Sequence, residues 1–258
     1  MADQLFKIVL TPALIGAASV AGRRWGPTVS GWLVGLPFTS GPIALFVALE
    51  HGESFAAAVA AGTLGGTISQ AMFCVVYGWL ARRWTWPVAF AASSVAFAVA
   101  TAGLYALALT AVPLAVAAVG TLGAAIRLMP ARTESPASGR ALPRWDIPLR
   151  MGVATAVVLI LTTAAPILGA RLTGLLAPFP LYAAILTVFA HQLESPAAAI
   201  GVLRGLLLGL FSFAAFFFVL ATTLERTGIT VAFALAVAVA LGLQAGTLAL
   251  LPIRAPAR

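Results

Sequence analysis

The chain has 258 residues, of which 62% are hydrophobic and only 9% charged, with a mean hydropathy of +1.06. Ordinary soluble domains carry about 25% charged residues, so the composition excludes them and points to a polytopic membrane protein. The formal net charge is +8, yet the surplus arginines lie in short loops between apolar stretches, where the positive-inside rule expects them, and not on a nucleic-acid-binding face.

Apolar length and charged punctuation define a first span from Phe6 to Gly22, closed by Arg23 and Arg24. The second runs from Val29 to Leu49 and is interrupted by Gly35, Pro37, Gly41 and Pro42. After a polar loop with Glu50, His51 and Glu53, a third span covers Ser54 to Leu80 and ends at Arg82 and Arg83. Trp86 to Ala108 is the fourth, and Val112 to Leu128 the fifth, with Pro113 tolerable in its first turn. Met129 to Pro148 carries Arg132, Arg140, Arg144 and several prolines without an apolar period, and reads as a loop between halves. Four further spans follow: Leu149 to Gly169, Leu172 to Gln192, Pro196 to Leu224 and Gly228 to Leu251. Several of these stretches reach the ~20 residues that a helix needs to cross a bilayer, and none alternates like a barrel strand. The expected fold is therefore all-α, with nine transmembrane helices.

The later spans repeat the earlier ones. Gly31 falls on Gly174 and Pro37 on Pro180 at one offset (180 − 37 = 143), as do Arg83 on Arg226, Val88-Ala89-Phe90-Ala91 on Val231-Ala232-Phe233-Ala234, and Ala102-Gly103 on Ala245-Gly246. Glu53-Ser54 meets Glu194-Ser195 two residues short of that offset, so a small loop difference opens and closes again. Residues 1–108 form the first repeat, 109–148 an unpaired span with the loop, and 149–258 the second repeat. The first span could pass for a signal peptide, but Phe6-Lys7 fall on Leu149-Arg150, which assigns it to the repeat.

One unpaired span between two four-span repeats makes the second repeat enter the bilayer from the opposite side. With the N-terminus outside, the cytoplasmic side receives Arg23, Arg24, Arg82, Arg83, Arg127, Arg132, Arg140, Arg144, Arg150, Arg254 and Arg258, against Lys7, Arg171 and Arg226 outside. This bias orients the chain with its N-terminus outside and its C-terminus in the cytoplasm, and the expected location is a bacterial inner membrane.

The interrupted second and seventh spans carry the functional expectation. Pro37 and Pro180 each lie eight residues from the start of their span, about 12 Å deep and close to the midplane. Gly/Pro-interrupted spans at matching places in two halves point to a transporter's binding site. Pro37, Gly41, Pro178 and Pro180 would unwind the helices, and Ser40 before Gly41-Pro42 has the pattern of an N-cap to a new half-helix. Half-helix N-termini meeting from opposite sides favour a negative group between them. Thr39 and Tyr182, each two residues after a paired proline, are candidate solute contacts, with Gln70 and Gln244 as secondary ones. Arg204 is the charge well inside a span, where it costs at least ~2.5–3.5 kcal/mol and needs an anionic partner or carbonyl oxygens.

Other chemistries find little support. Cys74 lies inside a span, so no disulfide framework or cysteine metal cluster is available. Glu50, His51 and Glu53 are a bilayer away from His191 and Glu194 in this topology, which argues against a joint metal site. Gly62, Gly65 and Gly66 read as close-packing positions. No hydrolase triad, zinc, Walker or dinucleotide motif is present, so neither an enzyme nor a cofactor is expected.

At Gly174-Leu175-Leu176-Ala177-Pro178-Phe179-Pro180, continuing to His191, Glu194 and Leu203-Arg204, the second repeat resembles the small four-span GlpM-like bacterial membrane proteins. The first repeat departs from them, with Gly35-Leu36-Pro37 at the break and Thr63 near the place of Arg204. The resemblance implies a duplicated four-span unit whose shorter relatives act as antiparallel dimers, and it brings no established activity. The expected function is a secondary transporter or uniporter that moves a small anionic or zwitterionic solute by alternating access, with Arg204 pairing the anion. The alternative is a non-transporting scaffold for envelope polysaccharide or lipid machinery. The expected partners are the solute and the bilayer, with a homodimer left open.

Overall fold

The structure is a computed structural model that describes residues 2–107, 109–131, 143, 145–160 and 179–251, with side chains from Val9 onward. Every described element is a helix: α1 (Ala2–Trp25), α2 (Pro27–Val34), α3 (Ser40–His51), α4 (Glu53–Leu80), α5 (Trp86–Leu107), α6 (Ala111–Leu128), α7 (146–160), α8 (Leu181–Leu193) and α9 (Pro196–Leu248). Four of them, α4, α5, α6 and α9, are long and apolar enough to cross a membrane, and the chain is a membrane-embedded helical protein. Large apolar side chains on their outer faces, such as Val95, Val99, Tyr105 and Val116, are exposed, which is stable only where lipid covers them. The expected contributions of Pro178, Arg132, Arg140, Arg144, Arg171, Arg254 and Arg258, and the first half of the seventh span, lie outside the described residues.

Local chemistry sets the helix boundaries. Arg23 and Arg24 in the last turn of α1 complement its negative end, and Pro27 opens α2 where a missing amide proton costs nothing. The Ser195 hydroxyl accepts from the Ala198 amide and Pro196 follows it, a strong start for α9. The chain turns sharply at Gly26, Gly52 and Gly228, each with positive φ.

Gly228 resolves what would otherwise be an implausible helix. A straight 53-residue helix would be about 80 Å long. Instead Gly228 adopts φ 79° and the two arms fold back on each other, because Ser212 in the first arm donates to Gln244 in the second at 2.6 Å. The two spans expected from Pro196 and from Gly228 are thus an antiparallel hairpin.

Helices α4 and α5 form a second hairpin with matching contacts. Its stripe of buried residues, Ala89, Ser93 and Phe97, stands 143 residues before Ala232, Ala236 and Ala240, the buried stripe of the second α9 arm. Thr101 donates to Ser69 at 2.8 Å across the α4–α5 hairpin, at the positions that match Gln244 and Ser212. Phe73 meets Phe90 edge-on at 6.3 Å, and their counterparts Phe216 and Phe233 meet edge-on at 6.1 Å. Helix α6 packs Leu114, Ala118, Leu122 and Ala125 between the hairpins, on one continuous core. Small residues at one-turn spacing let these backbones approach, since lipid offers no hydrophobic drive for helices to associate.

Candidate functional site

Helix α2 stops at Val34, and the Gly35 and Leu36 amides turn back to the Trp32 and Leu33 carbonyls as the last turn tightens. Pro37 then sits at the centre of a three-residue turn, in which the Phe38 amide donates to the Leu36 carbonyl at 2.8 Å. The Gly41 amide donates to the Pro37 carbonyl at 2.8 Å and α3 begins. Thr39, not Ser40, is the N-cap, and no side chain caps this end, which corrects the expected role of Ser40. Among the described residues the Thr39 and Ser40 amides have no backbone acceptor.

The described part of the second break has the same bonds. The Leu181 amide donates to the Phe179 carbonyl at 2.8 Å around Pro180, and the Ala184 amide donates to the Pro180 carbonyl at 2.8 Å. Both bonds fall at the offset that aligns Pro180 with Pro37. Pro180 has φ −76° and ψ 58°, the inverse γ conformation. Phe179 is held by Phe73, Phe90 and Phe97, edge-on with centroids 5.3–6.2 Å away. The break is thereby locked into the α4–α5 hairpin.

The first break is clamped to α9 by glycine. A side chain on Gly31 would overlap the Val202 carbonyl, and one on Gly205 would overlap the Thr28 carbonyl. A Cβ on Gly35 would lie 2.6 Å from the Gly209 Cα, and one on Gly209 would lie 2.6 Å from the Trp32 oxygen. Positions rise together along both helices, so α2 and the first arm of α9 run parallel with their backbones in contact. Sequence reasoning singled out Gly62, Gly65 and Gly66 instead; the signal it passed over is Gly201, Gly205 and Gly209 at one-turn spacing opposite Gly31 and Gly35.

Gln244 completes this clamp. Its amide nitrogen donates to the Trp32 carbonyl at 2.9 Å while its oxygen accepts from Ser212, and the Trp32 indole donates to Thr247 at 2.9 Å. The Trp32 carbonyl lies in the last turn of α2, where the break denies it a full helical partner. Gln244 is thus a cap supplied from another helix.

The remaining candidates separate. The Tyr182 hydroxyl is 3.0 Å from the Thr11 hydroxyl, which ties α8 to α1 beside Ile15, Ala18 and Ala154. Gln70 is buried in α4. Arg204 donates to the Met129 and Pro130 carbonyls at 3.0 and 3.1 Å, and so caps the C-terminus of α6; the Trp79 indole caps Leu128 beside it at 2.9 Å. Of the two partners a guanidinium in a span requires, the structure therefore supplies carbonyl oxygens. Its Nε is buried without a partner. His51 stacks on Phe55 at one end of the bundle, and His191 meets the Tyr77 hydroxyl at 3.2 Å toward the other.

A charged cluster that sequence reasoning missed joins three segments. Asp146, fully buried, accepts from Arg23 at 3.0 Å and from Arg150 at 2.7 Å, and Arg150 reaches Glu194 at 3.4 Å. The guanidinium of Arg150 also lies 5.3 Å from the Phe189 ring centre. Burial raises the carboxyl pKa of Glu194, with the Arg150 charge and hydrogen bond opposing the shift. The readable signal was the spacing of Asp146 and Arg150, four apart on one helix face. No family model, curated protein or solved structure matches this chain.

Proposed function

We propose that the protein is an inner-membrane carrier, a secondary transporter or uniporter for a small anionic or zwitterionic solute, built from two inverted four-span repeats. The observation that carries this reading is the pair of proline-centred breaks with the same two backbone hydrogen bonds at Pro37 and Pro180. Non-helical backbone at membrane depth is tolerated only when buried in protein or lining a cavity, and matched breaks in two halves are a hallmark of carriers. Helices α3 and α8 both begin just after a proline turn, and positive helix ends favour an anion.

Several contacts support the inverted topology. The parallel course of α2 and the first arm of α9 requires an odd number of crossings between them, which the five expected spans from Ser54 to Gln192 would give. Arg23, Asp146, Arg150 and Glu194, all assigned to the cytoplasmic face, cluster together, while Glu53 approaches Gly228 at the opposite face. The matched hairpins support duplication of a four-span unit like the GlpM-like proteins. In this reading Arg204 holds α6 in place, and the half-helix amides near Thr39, Ser40 and Tyr182 meet the solute.

Cysteine accessibility tests the proposal. In a Cys74→Ala background, Ser40→Cys and Tyr182→Cys are treated with a membrane-impermeant maleimide from each side of oriented vesicles. A carrier gives labelling at both positions that carboxylate solutes slow. Positions silent from both sides would replace the carrier with a scaffold for envelope machinery.

A further inference from the structure

A lateral cavity of about 590 Å³ opens between α5, α7 and α8. Its wall is apolar apart from Gln192, and it runs from Trp86 and Trp145 at one end of the bundle to Leu181, the residue after the Pro180 break. Phe90, Ala184 and Val153 line it on three different helices. Ligand sites fall in this size range, but they usually present several convergent polar groups, and this one does not. Its chemistry suits a hydrocarbon chain.

The mouth specifies what that chain is attached to. Two tryptophans mark a membrane-water interface, where amphipathic rings sit at headgroup level. Arg82 and Arg83 are exposed on the α4–α5 turn just before Trp86. The carboxylates near this mouth among the described residues, Asp146 and Glu194, are already held by Arg23 and Arg150. Arg82, whose guanidinium lies 5.6 Å from the Trp79 ring centre, and Arg83 therefore leave this end of the bundle with a net positive charge, and basic pockets between helices on the arginine-rich side of a membrane suit anionic headgroups.

We propose that this cavity binds one acyl chain of an anionic phospholipid from the surrounding leaflet, with the phosphate headgroup at the Arg82-Arg83 turn. The site depends on membrane embedding alone, so it stands or falls separately from solute transport. Bound there, the chain ends against Leu181, and the lipid braces the turn from Pro180 into α8.

The test is native mass spectrometry of the full-length, delipidated protein titrated with phosphatidylglycerol or with phosphatidylcholine of the same chains. One phosphatidylglycerol is retained at concentrations where phosphatidylcholine is not. Ala184→Trp fills the cavity and weakens retention by about tenfold, the scale set by losing burial of a few methylenes. Val153→Trp does the same from the facing helix, while Val116→Trp, on the exposed face of α6, leaves retention unchanged. Arg82→Gln with Arg83→Gln narrows the difference between the two lipids. Equal retention of both lipids by the parent protein overturns the proposal, and so does undiminished retention in whichever tryptophan variants remain monodisperse.

Discussion

The two hairpins, α4 with α5 and the two arms of α9, share a set of contacts and differ in what they add to it. Both carry a serine bonded across the hairpin, an edge-on phenylalanine pair and a one-turn stripe facing the other arm. Only the second uses Gln244, long enough to satisfy Ser212 and still reach the Trp32 carbonyl, where Thr101 is confined to Ser69. Only the second carries a basic residue midway along its first arm, and this residue, Arg204, caps the α6 C-terminus. The shared contacts build a hairpin; the additions fasten it to α2 and α6. The second hairpin is thus the anchor of the described structure, and the first supports Phe179 at the other break.

Glycine substitution separates the hairpins most sharply. Gly205 faces the α2 backbone, whereas Gly62, its counterpart at the 143-residue offset of the hairpin contacts, which puts Ala61 and not Thr63 at the place of Arg204, has open space around its Cβ position. Gly205→Leu is expected to cost more than about 3 kcal/mol, beyond the usual range for overpacking because backbone atoms cannot move aside, and to abolish monodisperse protein in detergent. Gly62→Leu leaves the elution profile intact. Arg204→Met comes next: it orphans the Met129 and Pro130 carbonyls and lowers stability by about 1–3 kcal/mol in thermal unfolding. A variant that keeps its stability and loses only solute transport would return Arg204 to the anion.

The polar pairs give a smaller contrast. Hydrogen bonds between membrane helices average about 0.6 kcal/mol and reach about 1.7, so Gln244→Leu, which breaks two, should cost about twice what Thr101→Val costs. Thermal unfolding of both variants in one detergent checks the ratio. Equal losses would mean that the Trp32 carbonyl finds another donor.

The third, fourth and fifth spans were legible because lipid leaves a segment few options: length and hydropathy mark them, and their boundaries at Leu80, Trp86 and Leu128 coincide with those of α4, α5 and α6. The break at Pro37 was legible for the same reason, since proline cannot donate in a ladder, and Pro180 likewise stands just before the start of α8. Side-chain roles were less so. Ser40 fits an N-cap pattern, but the turn around Pro37 moves the helix start and leaves Thr39 at the cap position. Arg204 looks like an anion partner because its carbonyl partners come from a helix end 75 residues earlier in the chain, and no local spacing reports that. Asp146 escaped notice beside the proline-rich loop, although it joins α1 to α7.

The faintest expected contrast lies in the charged cluster. Asp146 and Arg150 have sequence counterparts in Asp3 and Lys7, and Glu194 in Glu53; in the turn between α8 and α9, burial raises the Glu194 carboxyl pKa. Its raised carboxyl pKa means that the folded state favours the protonated form. The stabilisation this gives is complete at pH values below the ordinary carboxylate range and is lost as pH rises through the raised value. Glu194→Gln keeps an acceptor for Arg150 and removes the titration, so the variant should match the parent in acid and exceed it slightly at neutral pH. Unfolding midpoints of the two proteins across that range measure the difference. If the parent instead gains on the variant as pH rises, attraction to Arg150 outweighs burial, and the cluster is held together by its charges rather than in spite of them.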